Sequence, residues 1–545
     1  MRMIRKYRNK ASLIVLSILI LALAIRLYHL NKYDLWFDEI SSYVFSHQTI
    51  ESDAAIAGVP AHVFIFNKCR NDPLSFFYYL LIYLFSFLLQ GWRSLRLLSV
   101  IFGFLSLLVF YRLARRIYDR STGRIALFLM AVSPFQVWYA QEMRAYVVAE
   151  FFSLLAILFF VKLLEGGKKS YWLYFFISGM FAILMSYYSA LLVMIMLAYL
   201  YFRRDLRYAR RGYLFIAALV FFAPLFGLFL HQLYAAKNLS WMVIPHLRWL
   251  VMSFAVFGLG YSSNIPQFLI GYLLLASLFT YGVHKSFKQH NAYASFMLFS
   301  FFLPVIIIFL FSRLFFPVYI DRQFIVITPF YYLFIAKGLS GIKNIRVKAA
   351  VLALLTVLMS TLLVNYYKGF MMRSKNGREI YFGVHERKQY GGLISYLKSR
   401  LQERDIIAAT DIQSYFFTIE AVPAGSKDKG IHRLFFYPKY LQGLDRNALF
   451  GRFLPPGKIS KINDGEDNDS MHEFYHKDSY LAVNGNPLAD PEIKRIWLVS
   501  SFWDSYGSNP VNNNYGRIEK EMLRYYKRDE FLEHDGVILE RFSRR

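Results

Sequence analysis

Residues 11–42 read ASLIVLSILILALAIRLYHLNKYDLWFDEISS, an apolar run followed shortly by two adjacent carboxylates. Residues 11–30 are long enough to cross a bilayer as one helix, because a crossing takes about 20 apolar residues. The run is longer than the apolar part of a signal peptide and lacks a clear small-residue cleavage site, so we expect an uncleaved first span. Asp38 and Glu39 would then lie just outside the hydrocarbon core.

The composition is that of a membrane protein. Of the 545 residues, 56% are hydrophobic and 19% aromatic, whereas soluble chains are about 45–50% apolar. The net charge of +27 does not indicate a nucleic-acid partner. Many of the Lys and Arg residues lie in short loops between apolar segments, and an excess of basic residues is typical of the cytoplasmic loops of membrane proteins. The single cysteine, Cys69, excludes an intramolecular disulfide and any CxxC metal or redox site.

Eleven apolar segments predict membrane spans. They lie near 11–30, 95–112, 124–140, 145–163, 171–187, 189–203, 213–232, 265–283, 293–312, 323–338 and 348–367. Segments 73–90 and 246–261 would raise the number to thirteen, but as interfacial or re-entrant helices they leave nearly every dense basic loop on one side. We therefore favour eleven spans in the inner or plasma membrane, with a cytoplasmic N-terminus and an extracytoplasmic C-terminal domain.

This arrangement divides the chain into a transmembrane domain, 1–368, and an extracytoplasmic domain, 369–545. Residues 31–94 form the first external loop with its juxtamembrane helices. A helical pattern at 390–402 and β-like stretches at 405–410, 495–501 and 536–542 predict a small α/β fold for the tail. The chain has no nucleotide phosphate-loop motif, so nucleotide-driven transport has no support.

The carboxylates of Asp38 and Glu39 are candidates for proton transfer on the outer side. Neighbouring residues on a helix point about 100° apart, so one would face a cavity and the other would support it. The carboxylate in the cavity could deprotonate a hydroxyl acceptor. The alternative is a solvated N-terminal turn of a juxtamembrane helix, where acidic residues are favourable.

Three outer cations, Lys68, Arg70 and Arg322, suit the phosphate of a lipid-linked ligand. Lys68 and Arg70 come just before Pro73, which favours the first turn of a helix, and Arg322 opens a late span that Pro329 is expected to interrupt. The alternative for all three is anchoring of long basic side chains at the membrane interface.

Residues 133–146, SPFQVWYAQEMRAY, carry the densest polar cluster next to a span. On a helix, Glu142 and Tyr146 would be i, i+4 neighbours, and Gln141 and Arg144 would be i, i+3 neighbours, so two polar faces are expected. Charged residues next to a span tend to be functional or paired; the alternative is a Glu–Arg pair that braces a turn. Further polar residues on the same side are Tyr187, Tyr188 and His246. Taken by itself, His246 is interpreted as a structural residue and not as a ligand.

The order of these motifs resembles one family. WFDE at 36–39 is followed by RSLRLLSVIFG at 93–103, ARRIYDR at 114–120, the 133–146 segment and a late span that begins with arginine. This order is similar to that of the GT-C membrane glycosyltransferases, in the branch of protein O-mannosyltransferases and lipid A aminoarabinose transferases. The resemblance covers residues 10–340 and extends weakly to the tail. It implies a mostly α polytopic GT-C fold with a small extracytoplasmic α/β domain.

The resemblance also implies transfer of a sugar from a polyprenyl-phosphate donor to a hydroxyl of a glycan, lipid or protein, usually with inversion. Asp38 matches the catalytic acidic residue, with Glu39 as its neighbour, and Lys68 or Arg70 together with Arg322 fall where relatives contact the donor phosphate. Gln141, Glu142 and Arg144 match the family's Gln-Glu-x-Arg motif. The residues that we assign to substrate positioning are Gln141, Glu142, Arg144, Tyr146, Tyr187, Tyr188 and His246. No nucleotide or redox cofactor is implied; some relatives use a divalent metal, which stays open here, and no residue is assigned to a metal.

Two departures from the family pattern affect the expected substrate contacts. Asn71–Asp72–Pro73 replaces the usual Pro-Pro or His-Pro-Pro, and Tyr187–Tyr188 replaces His-Tyr. Two other functions also remain open: a transporter or flippase of lipid-linked sugars, and a glycan-binding scaffold. A transporter predicts charges deep in the spans and repeat symmetry, and the sequence shows little of either.

Overall fold

The computed structural model of the chain describes residues 2–46, 76–89, 91–166, 168–202, 227, 230, 244–371, 391–402, 405–409, 432–436, 473–474, 494–501, 514–534 and 537–545. Lys68, Arg70 and nearly all of the predicted span at 213–232 lie outside the described residues. The chain forms two compact units. The helical unit comprises Met1–Leu30 and Asp72–Glu386, and the sheet unit comprises Asn31–Asn71 and Arg387–Arg545.

The helices are, in chain order, α1 (Arg2–Leu27), α2 (Phe37–Ser46), α3 (Phe76–Ser86), α4 (Trp92–Ile117), α5 (Arg120–Val132), α6 (Pro134–Ala140), α7 (Tyr146–Leu164), α8 (Ser170–Met185), α9 (Tyr188–Phe202), α10 (Leu247–Leu259), α11 (Ile265–Lys288), α12 (Ala294–Leu314), a 3-10 helix (Asp321–Ile327), α13 (Thr328–Ser340), α14 (Ile345–Tyr367), α15 (Gly391–Arg400) and α16 (Asn514–Tyr525). Among the described residues, six helical segments are long and apolar enough to cross a membrane: α4, α7, α11, α12, the 3-10 helix continued by α13, and α14. Shorter apolar helices accompany them. The chain is therefore a mostly α integral membrane protein.

The predicted span 124–140 is broken in the structure, which corrects the expectation of one continuous helix. Helix α5 ends at Val132, and Ser133 has an extended backbone with φ −63° and ψ 123°. The Ser133 side chain accepts the backbone N–H of Gln136 at 3.5 Å, and Pro134 occupies the first turn of α6. A serine cap followed by proline starts a new helix instead of continuing the old one.

Pro329 was expected to interrupt a span, and in the structure it lies where this segment changes from a 3-10 helix to an α-helix. The proline lies in the first turn of α13, where its missing N–H leaves no hydrogen bond unmade. The residues before it form the 3-10 helix, whose second residue is Arg322. The N-terminal end of this span is therefore a tighter helix that holds a buried arginine.

Helices α11 and α13 approach each other closely through two glycines. A Cβ atom on Gly282 would lie 1.8 Å from the Phe334 carbonyl oxygen, and one on Gly338 would lie 2.0 Å from the Leu278 carbonyl oxygen. Small residues allow such close backbone contact between membrane helices. This contact holds α13, which continues from the 3-10 helix, against α11.

We expect Gly282→Ala and Gly338→Ala each to destabilise the folded protein by about 1–3 kcal/mol, because the added methyl group would force the two backbones apart. The loss would be measured as a lower apparent unfolding temperature in detergent. Gly179→Ala is the matched control in another membrane helix, since its Cβ would meet Val193 Cγ2 at an ordinary 3.5 Å. Equal unfolding temperatures for all three variants would contradict the close approach.

The sheet unit contains six described strands in the order β3-β2-β1-β4-β6-β5. They are β1 (Ile406–Ala409), β2 (His432–Phe436), β3 (Glu473–Phe474), β4 (Arg495–Ser501), β5 (Tyr526–His534) and β6 (Val537–Arg544). Strands β2, β1 and β4 are parallel, and the outer pairings are antiparallel. The predicted helix and the three predicted strands are confirmed as α15, β1, β4 and β6.

Side chains of the sheet alternate between two apolar layers, as the period of two requires. Ile407 and Trp497 pack with Leu397 of α15, whereas Ile406 and Ile496 pack with Met522 of α16. Each face of the sheet therefore has one described helix in its core. In the same unit, the carboxylate of Asp34 accepts the backbone N–H of Gly391 at 2.9 Å and so ties the chain before α2 to the start of α15.

Candidate active site

The polar segment 141–145 is a turn between α6 and α7, which corrects the expectation of two polar helix faces. Helix α6 ends at Ala140, α7 begins at Tyr146, and the N–H of Arg144 donates to the carbonyl of Glu142 at 2.9 Å. Gln141, Glu142, Arg144 and Tyr146 are all buried. The turn therefore presents its side chains inside the helical unit.

Gln141 braces the ends of two helices. Its amide nitrogen donates to the carbonyl oxygens of Arg26 and Tyr28, both at 2.8 Å, and its oxygen accepts the hydroxyl of Tyr366 at 2.6 Å. Both amide hydrogens are used in these bonds. Gln141 therefore holds the end of α1 and the end of α14 against the polar turn.

Glu142 is held by the helix that precedes it. Its Oε1 accepts the indole N–H of Trp138 at 2.6 Å, one helical turn earlier. The hydroxyl of Ser99 on α4 donates to the Glu142 carbonyl. The carboxylate and the backbone of Glu142 are thus fixed from two different helices.

Arg144 and Arg322 converge on the ring of Tyr146. The guanidinium carbon of each arginine lies 5.9 Å from the centre of this ring. The arginines are only 4% and 5% exposed, and they come from the polar turn and the 3-10 helix. Two buried guanidinium groups beside one aromatic ring bring together donors that suit an anionic group such as a phosphate.

Tyrosine and serine hydroxyls line the surroundings of Arg322. Ser253 of α10 lies 2.7 Å from the hydroxyl of Tyr319 and donates to Asp321, and the hydroxyls of Tyr139 and Tyr261 lie 2.7 Å apart. Burial raises the pKa of the Tyr261 hydroxyl well above its ordinary value, and the charge of Asp321 acts in the same direction. Tyr261 therefore stays protonated and able to donate.

The two tyrosines at the start of α9 take different positions. The hydroxyl of Tyr188 donates to the Val318 carbonyl, and its ring packs edge-on against Phe324 at 5.4 Å. Tyr188 thus supports the chain on both sides of Arg322. Tyr187 is half-buried beside it.

His246 lies at a different place, in an open cavity of about 600 Å³. The cavity is lined by His246, Leu247, Arg248, Phe309 and Arg313. Arg313 donates to the carbonyl of Pro245, the residue before His246, at 3.3 Å. This cavity combines apolar and cationic groups.

Asp38 and Glu39 form the first turn of α2 in the sheet unit. Glu39 is buried, with 1% of its surface exposed, whereas Asp38 is half-buried. The hydroxyl of Ser42 donates to the Asp38 carbonyl at 3.1 Å and secures the turn. The two neighbouring carboxylates thus have different environments, and their chemical roles stay predictions.

The described residues contain no group of three His, Cys, Asp or Glu side chains that could hold a metal ion. They do contain a buried polar cluster that the sequence reading passed over, formed by Arg26, Gln136, Glu150 and Thr328. Arg26 and Glu150 fall inside predicted spans, and ionisable residues at such positions are themselves a signal of function. Gln136 and Thr328 are not ionisable, so their positions in the sequence did not indicate a function.

Residues 71–228 match the family described as dolichyl-phosphate-mannose-protein mannosyltransferase. No curated protein matches the chain. The apo crystal structure of ArnT from Cupriavidus metallidurans aligns with 98% of this chain and 98% of its own, with a TM-score of 0.57 and 12% identity. The structure of ArnT bound to undecaprenyl phosphate aligns over 97% of each chain, with a TM-score of 0.54 and 12% identity. The fold of the chain is therefore similar to that of ArnT.

Proposed function

We propose that this protein is a membrane glycosyltransferase that transfers a sugar from a polyprenyl-phosphate donor to a hydroxyl acceptor at the outer face of the membrane. The family match over 71–228 and the GT-C fold support the class. The related ArnT structure with bound undecaprenyl phosphate supports a lipid phosphate as the carrier. The acceptor would be a glycan, a lipid or a protein.

The observation that carries the proposal is the convergence of Arg144 and Arg322 on Tyr146. Two buried guanidinium groups beside one ring bring together planar N–H donors that match the oxygens of a phosphate. Fixed donors in a dry site stabilise the charge that develops on a departing phosphate far better than water does. Lys68 and Arg70, outside the described residues, stay proposed as further phosphate contacts.

Asp38 is proposed as the general base. It takes the proton of the acceptor hydroxyl while the oxygen attacks the anomeric carbon, and the bond from that carbon to the phosphate oxygen breaks. Attack on the side opposite the leaving phosphate inverts the anomeric configuration, and polyprenyl phosphate is released in the membrane. Glu39 is proposed to support Asp38, and Glu142 and Tyr146 to line the donor site.

The proposal is tested by following the donor. Purified protein in vesicles is given a panel of undecaprenyl-phosphate sugars and an extract of envelope acceptors, and undecaprenyl phosphate is quantified by mass spectrometry. We expect its release in proportion to sugar incorporated into product, and no release by the Arg144→Met/Arg322→Met double variant. Movement of the intact donor between leaflets without consumption would instead identify a flippase and overturn the proposal.

A further inference from the structure

A side-chain bridge links the two segments that carry the cationic site. The amide nitrogen of Gln136 donates to Oε1 of Glu150 at 2.7 Å and to the hydroxyl oxygen of Thr328 at 2.9 Å. The Thr328 hydroxyl also lies 3.4 Å from the same carboxyl oxygen. These three side chains, which we call the Glu150 bridge, are all buried.

Each end of the Glu150 bridge is attached to a different part of the site. Gln136 belongs to α6, which leads directly into the turn with Glu142 and Arg144. Thr328 is the first residue of α13 and follows the 3-10 helix that holds Arg322. The two ends are 192 residues apart in sequence, so no local backbone geometry sets the spacing between them.

Glu150 lies in the second turn of α7, inside an otherwise apolar helix. Its Oε2 atom is buried and accepts no hydrogen bond in the part of the chain that the structure describes. A carboxyl group at such a depth is costly and needs a defined partner. If packing were the only requirement, a leucine or phenylalanine at position 150 would be buried at a lower cost in free energy than a carboxyl group.

A positively charged side chain of α1 lies near Glu150. Arg26 is buried and close enough to Glu150 for the two groups to interact electrostatically. Its guanidinium donates to the Ala131 carbonyl at 2.9 Å and to the Met130 carbonyl at 3.4 Å, in the last turn of α5. The final carbonyls of a helix lack partners within it, so Arg26 caps α5 just before the break at Ser133.

We infer that Glu150 is a positioning residue of the site: through Gln136 and Thr328 it sets the spacing between the turn that carries Arg144 and the 3-10 helix that carries Arg322. The inference rests on the proposed function. It identifies Glu150 as a group that contacts no substrate and acts through the two arginines. A misplacement of about 1 Å at a reacting centre can cost about 10²-fold in rate, so a loosened bridge would slow the transfer step.

The test compares Glu150→Leu, Glu150→Gln and Thr328→Val by steady-state kinetics on monodisperse protein, with rates expressed per folded molecule. We expect Glu150→Leu to lower kcat about 30-fold with the donor KM changed less than threefold, since positioning acts on the transition state. Glu150→Gln keeps an oxygen that accepts from Gln136, so at least a third of kcat should return. Thr328→Val keeps the shape of the side chain and should lower kcat about fivefold.

Tyr118→Phe is the matched control, because it removes a hydrogen bond of 2.7 Å to Ser286 at the other end of the helical unit. It should leave kcat unchanged. If Glu150→Leu and Thr328→Val both match Tyr118→Phe in kcat per folded molecule while the wild type transfers sugar, the positioning inference alone is overturned. If the wild type transfers no sugar from the donor panel, the proposed function fails, and the inference falls with it.

Discussion

Asp38→Asn is expected to lower kcat by about 10²–10⁴-fold, the contribution of a positioned general base. Asparagine has the same shape, so the first turn of α2 and the bond from Ser42 to the Asp38 carbonyl should persist. The acceptor hydroxyl would then lose its proton only to water. Transfer is measured as incorporation of labelled sugar, at matched amounts of folded protein.

Glu39→Gln is the control for this prediction, because the neighbouring carboxyl occupies the same turn but is buried. We expect less than a tenfold loss for Glu39→Gln. A wild-type rate for Asp38→Asn would show that Asp38 is not the general base. A larger loss of activity for Glu39→Gln than for Asp38→Asn would indicate that Glu39 is the general base and Asp38 its supporting neighbour.

Arg322→Met is expected to lower kcat/KM by about 10²–10³-fold, as the loss of one preorganised donor to a developing charge does. The methionine keeps an unbranched side chain at this position and removes the guanidinium, whose central carbon lies 5.9 Å from the centre of the Tyr146 ring. Arg322→Lys should restore part of the rate, because lysine keeps the charge but loses the planar, two-pronged donor geometry. The measurement is the release of undecaprenyl phosphate from the donor.

Arg116→Met is the matched control, since Arg116 pairs with Glu165 at a surface position, where removal of a cation costs little. Arg144→Met tests the shared site further. If both arginines contact one phosphate, the double variant should lose less than the product of the two single losses. Full additivity would contradict a common anion, and wild-type release by Arg322→Met would remove Arg322 from the phosphate site.

Much of the architecture could be predicted from the sequence, because the length of an apolar segment and the period of its hydrophobic residues are local properties. The predicted spans within the described residues lie in helical segments, although the span at 124–140 is divided between α5 and α6. Strands β1 and β4 lie where the β-like patterns predicted them. Strand β5, YKRDEFLEH, was missed because its charged sequence lacks the apolar alternation that marks a strand. Its backbone pairs with β6 regardless of the side chains.

The types of residue at the site could be predicted from the sequence, but their arrangement in space could not. The motif around Glu142 and Arg144 stood out because charges beside a span are rare. Its helical spacing was wrong, because the capping of α6 by Ser133 and the turn at 141–145 interrupt the helix. Gln141 was assigned to substrate positioning, yet its hydrogen bonds go to Arg26, Tyr28 and Tyr366, whose positions along the chain give no sign of this.

By itself the sequence determined a basic, aromatic, polytopic chain with an α/β tail and a set of candidate acids and cations, because hydrophobic length, charge placement and strand period are encoded locally. Only the tertiary structure decided that Arg144 and Arg322 meet at Tyr146 and that Glu150 joins Gln136 to Thr328. Such partners come from distant segments. Their meeting depends on how whole helices pack, and inside a membrane each buried polar group must find its partner there because no water replaces it.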